Sequence, residues 1–325
     1  GNMEKNVMNR LVSDAFDYDF LMADLNFNQK RWFTNYSGDV SGRYLEVMSH
    51  ASEGNEDKYP ILKRMIKSVS DLQRADGHFG TEEAIDWSAE LDNIKDSDSA
   101  HLIRTALLWG NSRILLGLIE AYLAFGDGKC IDCAKKLGSF YISVEKHLTN
   151  PARVAEFHLS GSSPGGYSTC YFPGVEGLVR LYMVTNDERY LNTALGMVEF
   201  RHKNNFDTLP CDHSHGYLCT TYGELLLYEV TGEVKYLNWV EKSWTELVAG
   251  GYVSPAGGLL ERAVIGDKRD EGCSNNDWFR LNLELGRITG NIKYWGMAER
   301  TFVNAFAANQ YDTGGFGHRR VLNDN

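Results

Sequence analysis

The chain has 325 residues, a formal net charge of −11 and 43% hydrophobic residues, the composition of an ordinary globular protein long enough to bury a large core. No apolar run reaches the roughly 18 residues that a membrane span needs. The acidic balance, with no basic cluster, argues against nucleic acid as the partner. The opening Gly1-Asn-Met-Glu-Lys-Asn6 shows no apolar signal segment, which leaves the compartment open between cytoplasm and periplasm. Only 6 prolines favour long helices over a linker-rich chain.

In chain order, the first clear element is a helix over Ile61–Gln73, with Leu62, Met65, Val69 and Leu72 on one face and Ala75-Asp76-Gly77 at its end. One or two helices are expected before it. A repeat then organises the rest. Tyr122-Leu-Ala-Phe-Gly126, Tyr182-Met-Val-Thr-Asn186, Tyr228-Glu-Val-Thr-Gly232 and Gly286-Arg-Ile-Thr-Gly290 align. The shared Gly or Asn suits a left-handed helix end, and the Asp, Glu or Asn after it suits the cap of a following helix. Both flanks are amphipathic: Val175, Leu178, Val179 and Tyr182 before one turn, Leu237, Val240, Trp244 and Leu247 after another. Each unit is therefore a helical hairpin. Cys130 and Cys133 form a Cys-x-x-Cys inside one of these helices and read as two small helix residues rather than a redox or metal pair.

The turns are 60, 46 and 58 residues apart, too far for a compact solenoid, so each hairpin carries a long loop. About eleven or twelve helices in five or six hairpins predict an all-α fold, an (α/α)6 toroid or barrel of paired helices. It fills residues 1–325 as a single domain with no accessory β-sandwich. An open α-solenoid is the rival. The loops are rich in Gly, aromatics, His and acids, as at Asp76-Gly-His-Phe-Gly80, Gly161–Tyr167, Asp212-His-Ser-His-Gly-Tyr217, Gly257-Gly-Leu-Leu-Glu261 and Gly314-Gly-Phe-Gly-His318. Loops converging on one end of a toroid would form a ligand site, and 12% aromatic residues suit the apolar faces of sugars.

Three groups are candidates for chemistry. Glu271 and Cys273 bracket one residue just before a helix, a spacing that lets a carboxylate and a thiolate face one metal; a Glu near a helix N-terminus beside a small buried Cys fits the same residues. His213 and His215 form a His-x-His before a helix, suited to substrate oxygens, to a metal, or to capping. Glu261, in a Gly-rich loop ahead of Glu271, is a carboxyl group of the kind a glycosidase needs to protonate its leaving group. No nucleotide-binding motif, His-Glu-x-x-His or Gly-x-Ser-x-Gly is present, so no nucleotide cofactor is expected.

The ordered set Leu72-Gln-Arg-Ala-Asp-Gly-His-Phe-Gly80, Leu108-Trp-Gly110 with Leu115–Glu120, His213-Ser-His leading to Tyr228–Gly232, and Glu271-Gly-Cys273 resembles the catalytic domain of the β-L-arabinofuranosidase family, glycoside hydrolase family 127 and relatives, over roughly residues 60 to 320. The resemblance implies an (α/α)6 barrel and an oligo- or polysaccharide substrate, a plant-type or arabinose-containing glycan. It implies zinc held in part by Glu271 and Cys273. It also implies sugar contacts from His213, with Asp76 and His78 in the segment near the sugar, and Trp109 and His215 in the matching stretches. A further family histidine falls near Arg113, so that contact is changed or lost here. The family's acid/base Glu lies upstream of its Glu-x-Cys; Glu261 is the nearest candidate, and Glu271 is the other candidate catalytic carboxylate.

One departure bears on mechanism. The family's nucleophile belongs to an adjacent Cys-Cys pair downstream of Glu-x-Cys, and no Cys follows Cys273 before Asn325. A remaining part beyond this chain, a divergent mechanism or an inactive relative would each account for that. A glycoside hydrolase is the first reading. An unsaturated-uronyl hydrolase or sugar epimerase using His213 or His215 is the second. A non-catalytic toroid that binds glycan or protein is the third.

Overall fold

The computed structural model describes residues 2–26, 36–55, 57–80, 87, 98–151, 166–211, 213–264, 266–317 and 319–320. Asp212, His318 and most of the Gly161–Tyr167 loop lie outside them. The described chain is all-α apart from one two-residue strand pair, β1 (Arg269–Asp270) with β2 (Arg319–Arg320). It divides into two compact units, Phe16–Phe206 and Gly1–Ala15 with Asp207–Asn325.

α1 (Asn2–Leu11) belongs to the second of these units; Gln310 Nε2 donates to its Met3 carbonyl at 3.0 Å. The first unit holds α2 (Tyr18–Met22), α3 (Asp39–Ala51), α4 (Pro60–Val69), α5 (Asp98–Phe125), α6 (Gly128–Leu148), α7 (Tyr167–Cys170), α8 (Gly174–Thr185) and α9 (Glu188–Lys203). Among the described residues three helices precede α4, where one or two are expected. The helix expected over Ile61–Gln73 starts at Pro60, where proline suits the first turn, and tightens to a 3-10 turn over Ser70–Leu72.

The repeat turns behave as their residue types require. Gly126 and Asn186 have φ of 68° and 56°, a left-handed conformation that glycine adopts freely and asparagine tolerates. Asp127 and Asp187 then cap α6 and α9 by accepting from the N–H groups of Lys129 and Arg189. Cys130 and Cys133 are both buried on α6, and burial pushes their thiols up to about 12 and about 11, so they stay protonated. They are packing residues.

α3 and α5 meet backbone to backbone. A Cβ at Gly42 would stand 2.4 Å from the Arg113 carbonyl carbon and the Ile114 nitrogen, and one at Gly117 would stand 2.4 Å from the Gly42 oxygen. Rigid backbone on both sides leaves no flexible group to yield. Gly42→Ala is therefore expected to force the helices apart and cost about 1–3 kcal/mol. Urea unfolding checks this; a midpoint equal to that of the unsubstituted chain would refute the close contact.

The second unit is built from α10 (Ser214–Thr231), α11 (Val234–Ala249), α12 (Gly272–Thr289) and α13 (Ile292–Arg300), with the last running into a π-turn over Thr301–Phe306. Gly232 and Gly290 close its hairpins at φ of 70° and 67°. Its core centres on Trp278, fully buried, which stacks on Trp244 at 6.0 Å between ring centroids. Trp244 meets Tyr294 edge to face at 5.1 Å and donates from its indole to Asn282 Oδ1 at 2.7 Å.

The segment after α11, expected to be a plain loop, is an irregular antiparallel ribbon. Val253 bridges Leu259, Leu260 bridges Asp270 and Cys211 bridges Ala263. This pairing gives Glu261 a defined place, which a Gly-rich loop read from sequence does not.

Candidate active site

The site lies in the second unit, where the ribbon ties together the N-termini of α10 and α12. The Ser214 N–H donates to the Glu261 carbonyl at 2.8 Å, and its hydroxyl donates to the Leu260 carbonyl at 2.5 Å. On the other side, Leu259 N–H donates to Asn275 Oδ1 at 2.8 Å, and Glu261 N–H donates to the Arg269 carbonyl at 2.8 Å. The first residues of two helices are thereby held against one strand-like segment.

His213 and Glu271 are the N-cap residues of α10 and α12, both with extended backbone. The expected position of Glu271 just before a helix is thus met, but the helix starts between it and Cys273. Cys273 therefore sits inside the first turn. Glu271 Oε1 accepts from the Ser274 hydroxyl at 3.2 Å and lies 3.4 Å from His213 Nε2. Glu261 completes the group: ligand atoms of His213, Glu261 and Glu271 all lie within 4.8 Å of one another. Arg269 Nε donates to Glu261 Oε2. The side chains are 16%, 13% and 10% exposed for His213, Glu261 and Glu271, so the group is shielded but reachable. Two helix N-termini beside two carboxylates are electrostatically matched.

A second group stands beside the first. His215 and Cys219, one turn apart on α10, meet Asp277 of α12, and the His215 and His213 rings are 5.8 Å apart. Cys273 is in neither group; the structure brings Glu271 together with His213 and Glu261.

The remaining candidates lie in the other unit. His78 is fully buried, with Nδ1 2.5 Å from Asp76 Oδ1 and its ring 5.3 Å from Phe140; Asp76 is partly exposed. Trp109 and Arg113, one turn apart on α5, come together with the guanidinium 5.1 Å from the ring. Trp109 donates from its indole to Asp39 Oδ1 at 2.8 Å, and Arg113 is buried against Ser112.

The sequence profile of the β-L-arabinofuranosidase GH127 catalytic domain matches residues 24–318. The chain belongs to the GH127 family. A GH127 β-arabinofuranosidase structure superposes with a TM-score of 0.63 at 18% identity, covering 98% of this chain and 50% of its own. The GH127 β-L-arabinofuranosidase of Geobacillus stearothermophilus T6 gives 0.63 at 14% identity, covering 96% and 53%. The GH76 α-mannanase of Bacteroides thetaiotaomicron gives 0.53 at 15% identity, covering 94% and 81%. These likenesses carry the fold class, the all-α toroid of paired helices. The chain spans about half the length of the GH127 structures it matches. Comparison with curated proteins gives no match.

Arg269, Cys219 and Asp277 of this GH127 chain are not among the residues that its sequence motifs single out. The spacing of four between His215 and Cys219 does signal a shared helix face. Nothing in the local sequence says that Asp277 faces it, because that depends on how α12 packs on α10. No helix among the described residues is long and apolar enough to cross a membrane.

Proposed function

We propose that this domain hydrolyses β-L-arabinofuranosides in arabinose-containing glycans, with His213, Glu261 and Glu271 at the reaction centre. The observation that carries the reading is the convergence of these three side chains within 4.8 Å in a chain of the GH127 family.

Spacing helps divide the roles. One oxygen of Glu261 and one of Glu271 lie within 4.8 Å of each other, close enough for both to face one cation. A nitrogen and two carboxylates form a donor set that zinc accepts. Glu271 and His213 would hold the ion, and Cys273 is the thiolate candidate two residues on. When bound, zinc supplies a Lewis-acid centre that stabilises a ligated thiolate or oxygen.

Glu261 is the acid/base in this reading. It gives a proton to the departing glycosidic oxygen, and over the whole hydrolysis water supplies both the oxygen that the anomeric carbon gains and the proton that restores Glu261. Arg269 fixes one of its oxygens, which orients the other. His215 is placed to steady His213 through ring contact. For Asp76, His78 and Trp109, a sugar-contacting role rests on the resemblance; at Arg113 the family's histidine contact is changed or lost. Family membership favours a hydrolase over the uronyl-hydrolase, epimerase and non-catalytic readings.

The test is release of aryl alcohol from an aryl β-L-arabinofuranoside by zinc-supplied protein, beside the matching α-mannoside. Release from the arabinofuranoside alone is the expected result. Release from the mannoside alone would overturn the substrate assignment.

A further inference from the structure

We infer that His215, Cys219 and Asp277 form a second metal site, separate from the His213 group, that takes a zinc-like divalent cation. The inference stands on geometry of its own and does not require the proposed sugar chemistry.

The three side chains come from two helices. His215 and Cys219 lie one turn apart on α10, so they share a face, and Asp277 reaches them from the first turns of α12. Cys219 Sγ is 3.6 Å from His215 Nδ1 and 3.7 Å from Asp277 Oδ2, while Asp277 Oδ2 hydrogen-bonds His215 Nδ1. His215 and Cys219 are 5% and 3% exposed, and the Asp277 side chain is 13% exposed.

Two chemistries use a thiol, an imidazole and a carboxylate, and the arrangement separates them. A nucleophile relay needs both imidazole nitrogens, one facing the thiol and the other facing the carboxylate. Here Cys219 and Asp277 approach the same nitrogen, Nδ1, and each other. That is a closed triangle of donors, not a chain.

Two of the triangle's three edges have the dimensions of a metal site. With Zn–S of about 2.3 Å and Zn–N or Zn–O of about 2.0–2.1 Å, tetrahedral angles set the S···N and S···O edges at about 3.6 Å. Both sulfur edges already match. The N···O edge needs about 3.3–3.4 Å, which a small side-chain movement supplies by opening the His215–Asp277 hydrogen bond. On binding, Cys219 enters as thiolate and releases its proton to solvent, His215 as neutral imidazole and Asp277 as carboxylate. The sulfur donor selects zinc over magnesium or calcium. Three protein donors leave one tetrahedral position for water or another ligand. The His-x-His thus divides between two sites, His213 toward Glu261 and Glu271, His215 toward Cys219 and Asp277.

Cobalt(II) reports thiolate ligation by a sulfur-to-metal charge-transfer band in the near ultraviolet. The test measures that band and zinc stoichiometry by equilibrium dialysis in a Cys273→Ser background, so that Cys273 does not contribute. The expected result is a band in that background, its loss together with one zinc equivalent in Cys219→Ser, and at least tenfold weaker binding of the same equivalent in Asp277→Asn. Asp277→Asn keeps shape and keeps the test open where Cys219→Ser folds poorly. Glu271→Gln should leave the Cys219 band in place, whatever it does to the other site, which separates this inference from the sugar-site reading. No band in the background, or a band and stoichiometry unchanged by both Cys219→Ser and Asp277→Asn, would overturn the second site.

Discussion

Glu271→Gln is expected to lower turnover of an aryl β-L-arabinofuranoside by about 10²–10⁴-fold while leaving the fold intact. Glutamine keeps the size of the side chain. It can still accept from the Ser274 hydroxyl, which now meets Glu271 Oε1 at 3.2 Å. Glu271 makes no side-chain cap bond to its helix, so α12 does not lose a cap. What is lost is one negative charge beside His213 Nε2 and Glu261. A neutral amide is a poor zinc donor, so one metal equivalent should go with the activity. The pair of readouts is steady-state kinetics and zinc content, with the thermal midpoint as the control for folding. Unchanged kcat/KM would remove Glu271 from the reaction centre.

Trp278→Ala is expected to destabilise the chain by about 3–5 kcal/mol. Trp278 is fully buried and stacks on Trp244, which in turn packs against Tyr294. Truncation leaves a cavity that backbone-anchored neighbours cannot fill. Asn282, which accepts from the Trp244 indole and donates to the Trp278 carbonyl at 2.7 Å, keeps its backbone partner but loses the wall behind it. Trp278 also follows Asp277 directly, so a relaxed core should loosen the donor triangle. Urea unfolding followed by far-ultraviolet circular dichroism measures the loss. A cost below about 1 kcal/mol would contradict the assignment of Trp278 as the centre of this core. Trp278→Phe, which keeps a ring, should cost less than half as much.

What was legible in the sequence was mostly local. The turns at Gly126, Asn186, Gly232 and Gly290 followed from residues that tolerate positive φ, and the caps at Asp127, Asp187 and Asn291 from residues that accept a helix N–H. The Cys130–Cys133 pair was legible as packing because helical spacing buried both. Glu271 and His213 were legible as helix starts. The ribbon around Glu261 was not, because its isolated bridges involve partners far apart in the chain, such as Cys211 with Ala263. Nor was the division of His213 and His215 between two groups. Which residue each imidazole meets depends on the packing of α12 on α10, and neighbours three or four apart on one helix cannot report it.

The central claim is that His213, Glu261 and Glu271 form one metal and sugar centre. The most direct measurement is diffraction at the zinc absorption edge from crystals of the zinc-supplied protein soaked with L-arabinose. The expected result is an anomalous peak bonded to Glu271 and His213, with the sugar beside Glu261. A zinc peak and a sugar that both lie away from all three side chains would contradict it.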